Sequence, residues 1–254
     1  MAKVIAVTNQ KGGVGKTTTT VNLAYNLAEE HKLRVLLIDL DPQGNATSGL
    51  GIPKESVKNI GDVLTSQVKL NDAISPTVNE RLFIASTDRR LADSEVGLAV
   101  DENRLNKLKQ AISSVSSDYD VILIDCPPSL GILTVNALNA SSHVLMPVQA
   151  EYYALEGLSQ LLETMQRVRK SLNPNLEILG VLMTMIDKRN SLSDAVSGEV
   201  AKHFPKSMFK VQIPRNVRLA EAPSHGKPIS IYDKWSKGSR AYKKLAKEVY
   251  DRLF

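Results

Sequence analysis

Lys11 and Lys16 bracket a run of small residues in the stretch QKGGVGKTT, residues 10–18. An apolar run at residues 4–7 precedes it, and a helix-like pattern over residues 17–28 follows. A strand, a glycine-rich turn and a helix start, in that order, make a phosphate site. Small residues let backbone N–H groups converge on phosphate oxygens, and the positive end of the helix faces them. In such a site Lys16 reaches the β- and γ-phosphates, and the Thr17 hydroxyl is placed to ligate Mg2+. The stretch departs from the usual G-x-x-x-x-G-K-[ST] spelling. Gln10 stands at the first glycine position, and a second lysine, Lys11, follows before Gly12 and Gly13.

Two further places carry charge after apolar runs. Asp39 and Asp41 follow the run at residues 35–38, and Asp125 follows the run at 121–124. Acids spaced i and i+2 beside a bound Mg-nucleotide can orient the metal's water ligands and position an attacking water. An aspartate ending an apolar strand is the usual Mg2+ contact of a phosphate-loop protein, directly or through water. A lone aspartate after a strand is more often a helix N-cap. Three of them together with Lys16 and Thr17 favour chemistry. Cys126 has no histidine beside it in sequence, so a small packed residue near the turn is the better reading than a reactive thiol.

Elements must hold these residues in place. Apolar, β-branched-rich runs recur at residues 4–7, 35–38, 82–85, 121–124, 144–148, 178–183 and 208–213. They are short and nearly continuous, as expected of parallel strands buried on both faces. Helical periodicity is clearest over 17–29, 101–114, 155–171, 192–203 and 239–253. The alternation predicts an α/β fold with a doubly wound, mostly parallel sheet flanked by helices, of the phosphate-loop NTPase type, in which ligands bind at the carboxyl ends of the strands. Residues 49–80 read as an insertion of loops and short helices. No linker or repeat divides the chain, which predicts one domain over residues 1–254.

Composition narrows the classes. With 43% hydrophobic residues the chain can bury a sizeable core. No apolar run approaches a membrane span and no signal peptide precedes Lys3, so a cytoplasmic protein is expected. A single cysteine excludes disulfide frameworks and cysteine clusters within the chain. The net charge of +5 is unevenly spread: residues 187–254 hold 15 Lys and Arg against 7 Asp and Glu. A basic final third suggests an acidic partner, nucleic acid or anionic lipid, or else simply a solvated lysine surface.

The runs KGGVGKTT, LLIDLDPQGNATSGLG and VILIDCPPSLG resemble the ParA/Soj family of partition ATPases, in the deviant Walker A group of phosphate-loop proteins. PVQAEYYALEGLSQL (147–161) and IPRNVRLAEAPSHGKPI (213–229) sharpen the resemblance, which spans nearly the whole chain and is weakest over 52–102. It implies ATP and Mg2+ as cofactors. It implies that Lys11 reaches across a dimer interface to the phosphates of the partner's ATP. Lys16 and the stretch Gly12, Gly13, Val14, Gly15, Thr17 and Thr18 would hold the phosphates within one subunit. Thr17 would ligate Mg2+, Asp41 would position or activate the hydrolytic water, and Asp39 and Asp125 would support the metal's water shell. Adenine would lie against Met185, Pro214 and Asn216.

The resemblance further implies a slow, partner-stimulated ATPase that dimerises with ATP, binds DNA without sequence preference in that state and sits on the nucleoid. A ParB-like centromere-binding protein is the expected partner in chromosome or plasmid partition, with a replication initiator a further one. Few aromatics and no recognition-helix signature favour phosphate-backbone contact. Lys188, Arg189, Arg215 and Arg218 are the candidates, with Lys227, Lys237 and Arg240 behind them. Arg215 could equally orient the adenine loop or the dimer interface; for Arg218 that local role is the weaker reading. Only three residues precede the first apolar run, which resembles the short form of the family. A membrane-cycling relative ending in an amphipathic helix is the nearest rival, since Leu245, Val249, Leu253 and Phe254 share a stripe. Ala241, Ala246, Glu248 and Asp251 argue instead for a core-packed terminal helix. An iron–sulfur reductase sharing a cluster between subunits would need more thiolates than Cys126 supplies. A nucleotide-regulated module without catalysis is opposed by Asp41.

Overall fold

The structure is a computed structural model describing residues 1–53, 58–151, 154–187 and 191–254. A seven-stranded sheet runs through it in the order β3-β4-β2-β5-β1-β6-β7. In chain order the strands are β1 (Lys3–Val7), β2 (Val35–Asp39), β3 (Ile74–Pro76), β4 (Leu82–Ala85), β5 (Val121–Asp125), β6 (His143–Gln149) and β7 (Glu177–Thr184). Six are parallel; β3 alone runs antiparallel, on the edge beside β4. Every residue of β2 and β5 is buried, which is why those segments read as unbroken apolar runs ending in aspartate.

The helices are α1 (Lys16–Glu30), α2 (Asn45–Gly49), α3 (Ile60–Leu64), α4 (Arg90–Ala99), α5 (Lys107–Ser113), α6 (Ile132–Ala140), α7 (Ala154–Ser171), α8 (Ser191–His203), α9 (Val217–Glu221), α10 (Ile229–Tyr232) and α11 (Lys237–Leu253). Two apolar layers cover the sheet. One contains Leu108, Leu133, Leu158 and Val200 from the helices between α5 and α8. The other contains Leu23, Leu27, Tyr242, Leu245 and Val249, where α11 lies against α1. The apolar stripe of α11 is therefore core, with Leu245 and Val249 fully buried; Phe254 alone is exposed. No described helix is long and apolar enough to cross a membrane.

Several segments differ from expectation. Residues 208–213 form no strand. Met208 and Pro214 make isolated bridges to Val181 and Ile186, but between them the N–H groups of Lys210 and Val211 donate to the Glu248 carboxylate of α11. A side chain takes the amides a ladder would need. The helix expected over 101–114 begins only at Lys107, because the Asp101 carboxylate accepts from Asn103 N and a string of turns follows. Helices α4 and α6 were not expected, nor was β3 within the loop-rich stretch.

Candidate functional site

Backbone register brings the charged residues together. Val7 pairs with Asp125, and Asp39 with Asp125, so the carboxyl ends of β1, β2 and β5 lie side by side. Leu40 N donates to Asp125 O and Cys126 N to Val7 O, carrying the pairing one step past the strands. The glycine-rich turn then leads into α1. Gly13 and Gly15 adopt φ of 75° and 86°, a left-handed backbone that glycine takes without Cβ strain. Gly15 stands at the N-cap of α1, with no side-chain cap and no acid in the first turn. The first amides of this helix are thus open to an anion, and the dipole favours one. The turn is braced from below: Thr184 at the end of β7 donates its hydroxyl to Val14 O at 2.8 Å.

Within this frame Lys16 is nearly buried and its ammonium donates to Lys11 O at 3.0 Å. Burial pushes its pKa down, against the opposing carboxylates of Asp125 and Asp41. Asp39 and Asp125 are fully buried and both carboxyls are pushed up, first by burial and then by negative neighbours. Asp39 accepts from Thr47 N and Oγ1, which fixes the turn into α2. Asp125 accepts from Thr20 Oγ1 at 2.9 Å, while the Thr17 hydroxyl acts on the same carboxylate. Its Oδ2 is buried and has no hydrogen-bond partner among the described residues. An orphaned carboxylate oxygen beside Thr17 and Lys16 fits the hydration shell of a divalent cation. Among the described residues no three His, Cys, Asp or Glu could hold a metal by themselves. A cation held here would rely on Thr17 and on ligand oxygens. Asp41 closes the cluster, 8% exposed, its Oδ1 accepting from Gln43 N at 3.0 Å. Cys126 is buried and burial pushes its thiol up, so it offers no thiolate.

Lys11 points elsewhere. Its ammonium is ion-paired with Glu151, just past β6, and both side chains are partly exposed, at 38% and 45%. The expected adenine contacts are also assembled: Ile186 N donates to Ile213 O and Arg215 N to Ile186 O, both at 3.0 Å, which seats residues 213–216 against the end of β7. Met185 between them has φ 53°. Asn216 Oδ1 is buried with no partner among the described residues, an acceptor in want of an N–H donor such as an adenine amino group. Of the expected phosphate-backbone contacts, Lys188 and Arg189 lie outside the described residues. Arg215 is exposed without an ion pair among them. Arg218 is engaged by Glu221 at 2.9 Å and Asp233 at 3.6 Å.

The partners Glu151, Thr20, Thr47 and Thr184 were not anticipated. Glu151 had a signal, being an acid at the end of the apolar run 144–148; the threonines had none, since their roles depend on which strand end they meet.

A family model described as an AAA domain matches residues 2–178. The chain is 55% identical, over 98% of both chains, to the sporulation initiation inhibitor protein Soj of Bacillus subtilis. It is 48% identical to the chromosome partitioning protein ParA of Caulobacter vibrioides, over 98% of this chain and 94% of that one. In structure it is similar to cobyrinic acid a,c-diamide synthase of Mycobacterium smegmatis with bound ATP analogue and magnesium, with a TM-score of 0.85, 36% identity, and 97% and 93% of the two chains covered.

Proposed function

Because the chain belongs to the Soj/ParA family of chromosome-partitioning ATPases, we propose that it works as an ATP-gated dimer that grips DNA through phosphate contacts and is released by hydrolysis. The carrying observation is the division of labour between the two lysines. Lys16 is buried against Asp125 and Asp41, inside its own phosphate loop, whereas Lys11 in the same loop points away to Glu151 at the rim. A cation on a flexible stem, held by one exposed carboxylate, is free to exchange that partner for the phosphates of a second subunit.

On this reading the amides of Gly13 to Thr18 and the Lys16 ammonium cradle the triphosphate, and Asn216 with Pro214 and Met185 receives adenine. Thr17 would hold Mg2+, with Asp39, Asp41 and Asp125 ordering its waters, and the metal would supply charge neutralisation to the phosphates. Asp41, beside the γ-phosphate position, orients the attacking water. Lys11 from the facing subunit neutralises charge that grows on the transferred group, so binding and catalysis depend on the same contact. Hydrolysis removes the group that Lys11 holds, and the dimer loosens. A ParB-like protein would accelerate that step, and a replication initiator is a second candidate partner. The protein would reside in the cytoplasm on the nucleoid; the buried apolar face of α11 supports DNA over a membrane surface as its platform.

Light scattering of the unaltered protein and of Lys11→Ala, each with ATP and with ADP, tests the reading. Dimers with ATP only, lost in Lys11→Ala while monomeric ATP binding persists, are the expected result. Dimers that survive the substitution would reduce Lys11 to one more phosphate ligand and sink the gating scheme.

A further inference from the structure

The phosphate turn is held by a side chain from β7, two strands away from β1 in the sheet. Thr184 is buried at the end of that strand, and its hydroxyl donates to Val14 O at 2.8 Å. Its methyl group lies under the same turn, where Cγ2 would stand 3.8 Å from a Cβ on Gly15. The bond matters through the peptide it grips. In a planar trans peptide the carbonyl and the following N–H point in opposite directions. Drawing Val14 O onto Thr184 therefore turns Gly15 N–H away from β7, to the open side of the turn. Among the described residues that N–H has no acceptor.

Such a peptide needs an anchor. Gly15 has φ 86°, and turning the peptide over would carry that angle to the negative side, where glycine is equally at ease. A turned-over peptide would aim a carbonyl at a bound phosphate and withdraw one of the amides that make the cradle. The same strand end also reaches the base. Met185 follows Thr184 with φ 53°, and Ile186 N then donates to Ile213 O at 3.0 Å. Three consecutive residues thus hold the phosphate turn, reverse the backbone and seat residues 213–216. We propose that Thr184 is a positioning residue for the nucleotide. Its hydroxyl fixes the Val14–Gly15 peptide so that Gly15 N–H faces the phosphates, while the residues after it set where the base lies relative to that cradle. The inference rests on the nucleotide site proposed above and adds to it a residue that acts through the loop rather than on the ligand.

The test is the affinity for Mg-ADP and Mg-ATP, by titration calorimetry, of the unaltered protein, Thr184→Val, Thr184→Ala and Thr184→Ser, with urea unfolding of each in the absence of nucleotide. Thr184→Val keeps the shape and removes the donor, whereas Thr184→Ser keeps the donor. Affinity for both nucleotides is expected to fall about tenfold or more in Thr184→Val and Thr184→Ala, the scale of one hydrogen bond to a charged group, and to stay within about threefold in Thr184→Ser. KM for ATP should rise with kcat retained, since the contact is made equally in the ground and transition states. With isotope-labelled glycine, the Gly15 amide proton should move downfield on addition of Mg-ADP in the unaltered protein and in Thr184→Ser, and stay in place in Thr184→Val. If Thr184→Val does not fold, Thr184→Ala carries both readouts. Affinity retained in the variants without a donor, even with a lower urea midpoint, would leave Thr184 as a structural brace and overturn the proposal. So would a Thr184→Ser as weak as Thr184→Val, or a Gly15 shift that survives loss of the hydroxyl. Failure of the unaltered protein to bind either nucleotide would overturn the nucleotide site beneath it as well.

Discussion

The centre of the sheet and its β7 edge hold their functional residues by different means. At the centre, Asp39 and Asp125 sit opposite each other on adjacent parallel strands, and Lys16 follows from a turn fixed by two left-handed glycines. Backbone ladders place these groups, so little depends on any single side chain. At the edge, side chains replace the ladder. Glu248 takes the amides of Lys210 and Val211, and the Arg252 guanidinium donates to the carbonyls of Leu179, Ser207 and Met208 while stacking on Phe209 at 4.0 Å. The same edge seats residues 213–216, the expected adenine contacts. A change at the centre should therefore remove chemistry and spare the fold. A change at the edge should weaken the fold and reach the chemistry only through nucleotide affinity.

The sharpest test of that contrast is Asp41→Ala. Its carboxylate accepts from Gln43 N and so supports a local turn. Hydrolysis should fall by roughly a hundredfold or more, the range lost when a water-positioning group is removed. Urea unfolding should move little, and the ATP-bound dimer should persist. A large drop in stability would show that centre and edge do not divide as described.

Gly180→Ala is the counterpart at the edge, with the next largest effect. A Cβ at this position would stand 2.5 Å from Phe209 Cε2, 2.7 Å from Ser207 O and 2.8 Å from Arg252 Nη1. Two of those groups are fixed by the Arg252 clamp, so the strain cannot relax cheaply. A loss of about 1–3 kcal/mol in urea unfolding is expected, with kcat at saturating ATP retained. Unfolding at the same denaturant concentration as the unaltered protein would show that the edge gives way freely.

The same contrast decides what could be read from sequence. Residues 4–7, 35–38 and 121–124 fall within a residue of β1, β2 and β5 because burial on both faces leaves a continuous apolar run. The phosphate turn was legible for a similar reason: Gly13, Gly15, Lys16 and Thr17 have roles fixed by immediate neighbours. Residues 208–213 carry the same apolar character and form no strand. Glu248, which takes their amides, is 37 and 38 residues away from them in sequence, and no local pattern announces it. Helix α6 was hidden because ILTVNALNA is apolar on most sides and mixes β-branched residues into a helix. The Arg218–Glu221 pair is local, three residues apart within α9, whereas Asp233 reaches Arg218 only once α10 is packed beside it.

Lys11 and Glu151 lie between the two regimes, with the smallest expected effect. Lys11 belongs to the central loop, but what holds it is one partly exposed carboxylate. Such a pair contributes about 0–1 kcal/mol, since water competes for both charges. If Glu151 merely holds Lys11 until a second subunit arrives, Glu151→Gln removes a competitor of the partner's phosphates. ATP-dependent dimerisation should then tighten, by about two- to fivefold on that energy scale, with ATP binding to the monomer unchanged. A charge that competes and a charge that guides predict opposite signs here. Were Glu151 to steer Lys11 into its trans position, the same substitution would weaken the dimer, and sedimentation at graded protein concentrations with ATP separates the two. Weakening would mean that the rim, like the β7 edge, is built by side chains acting at a distance, and that the loop alone does not determine where Lys11 goes.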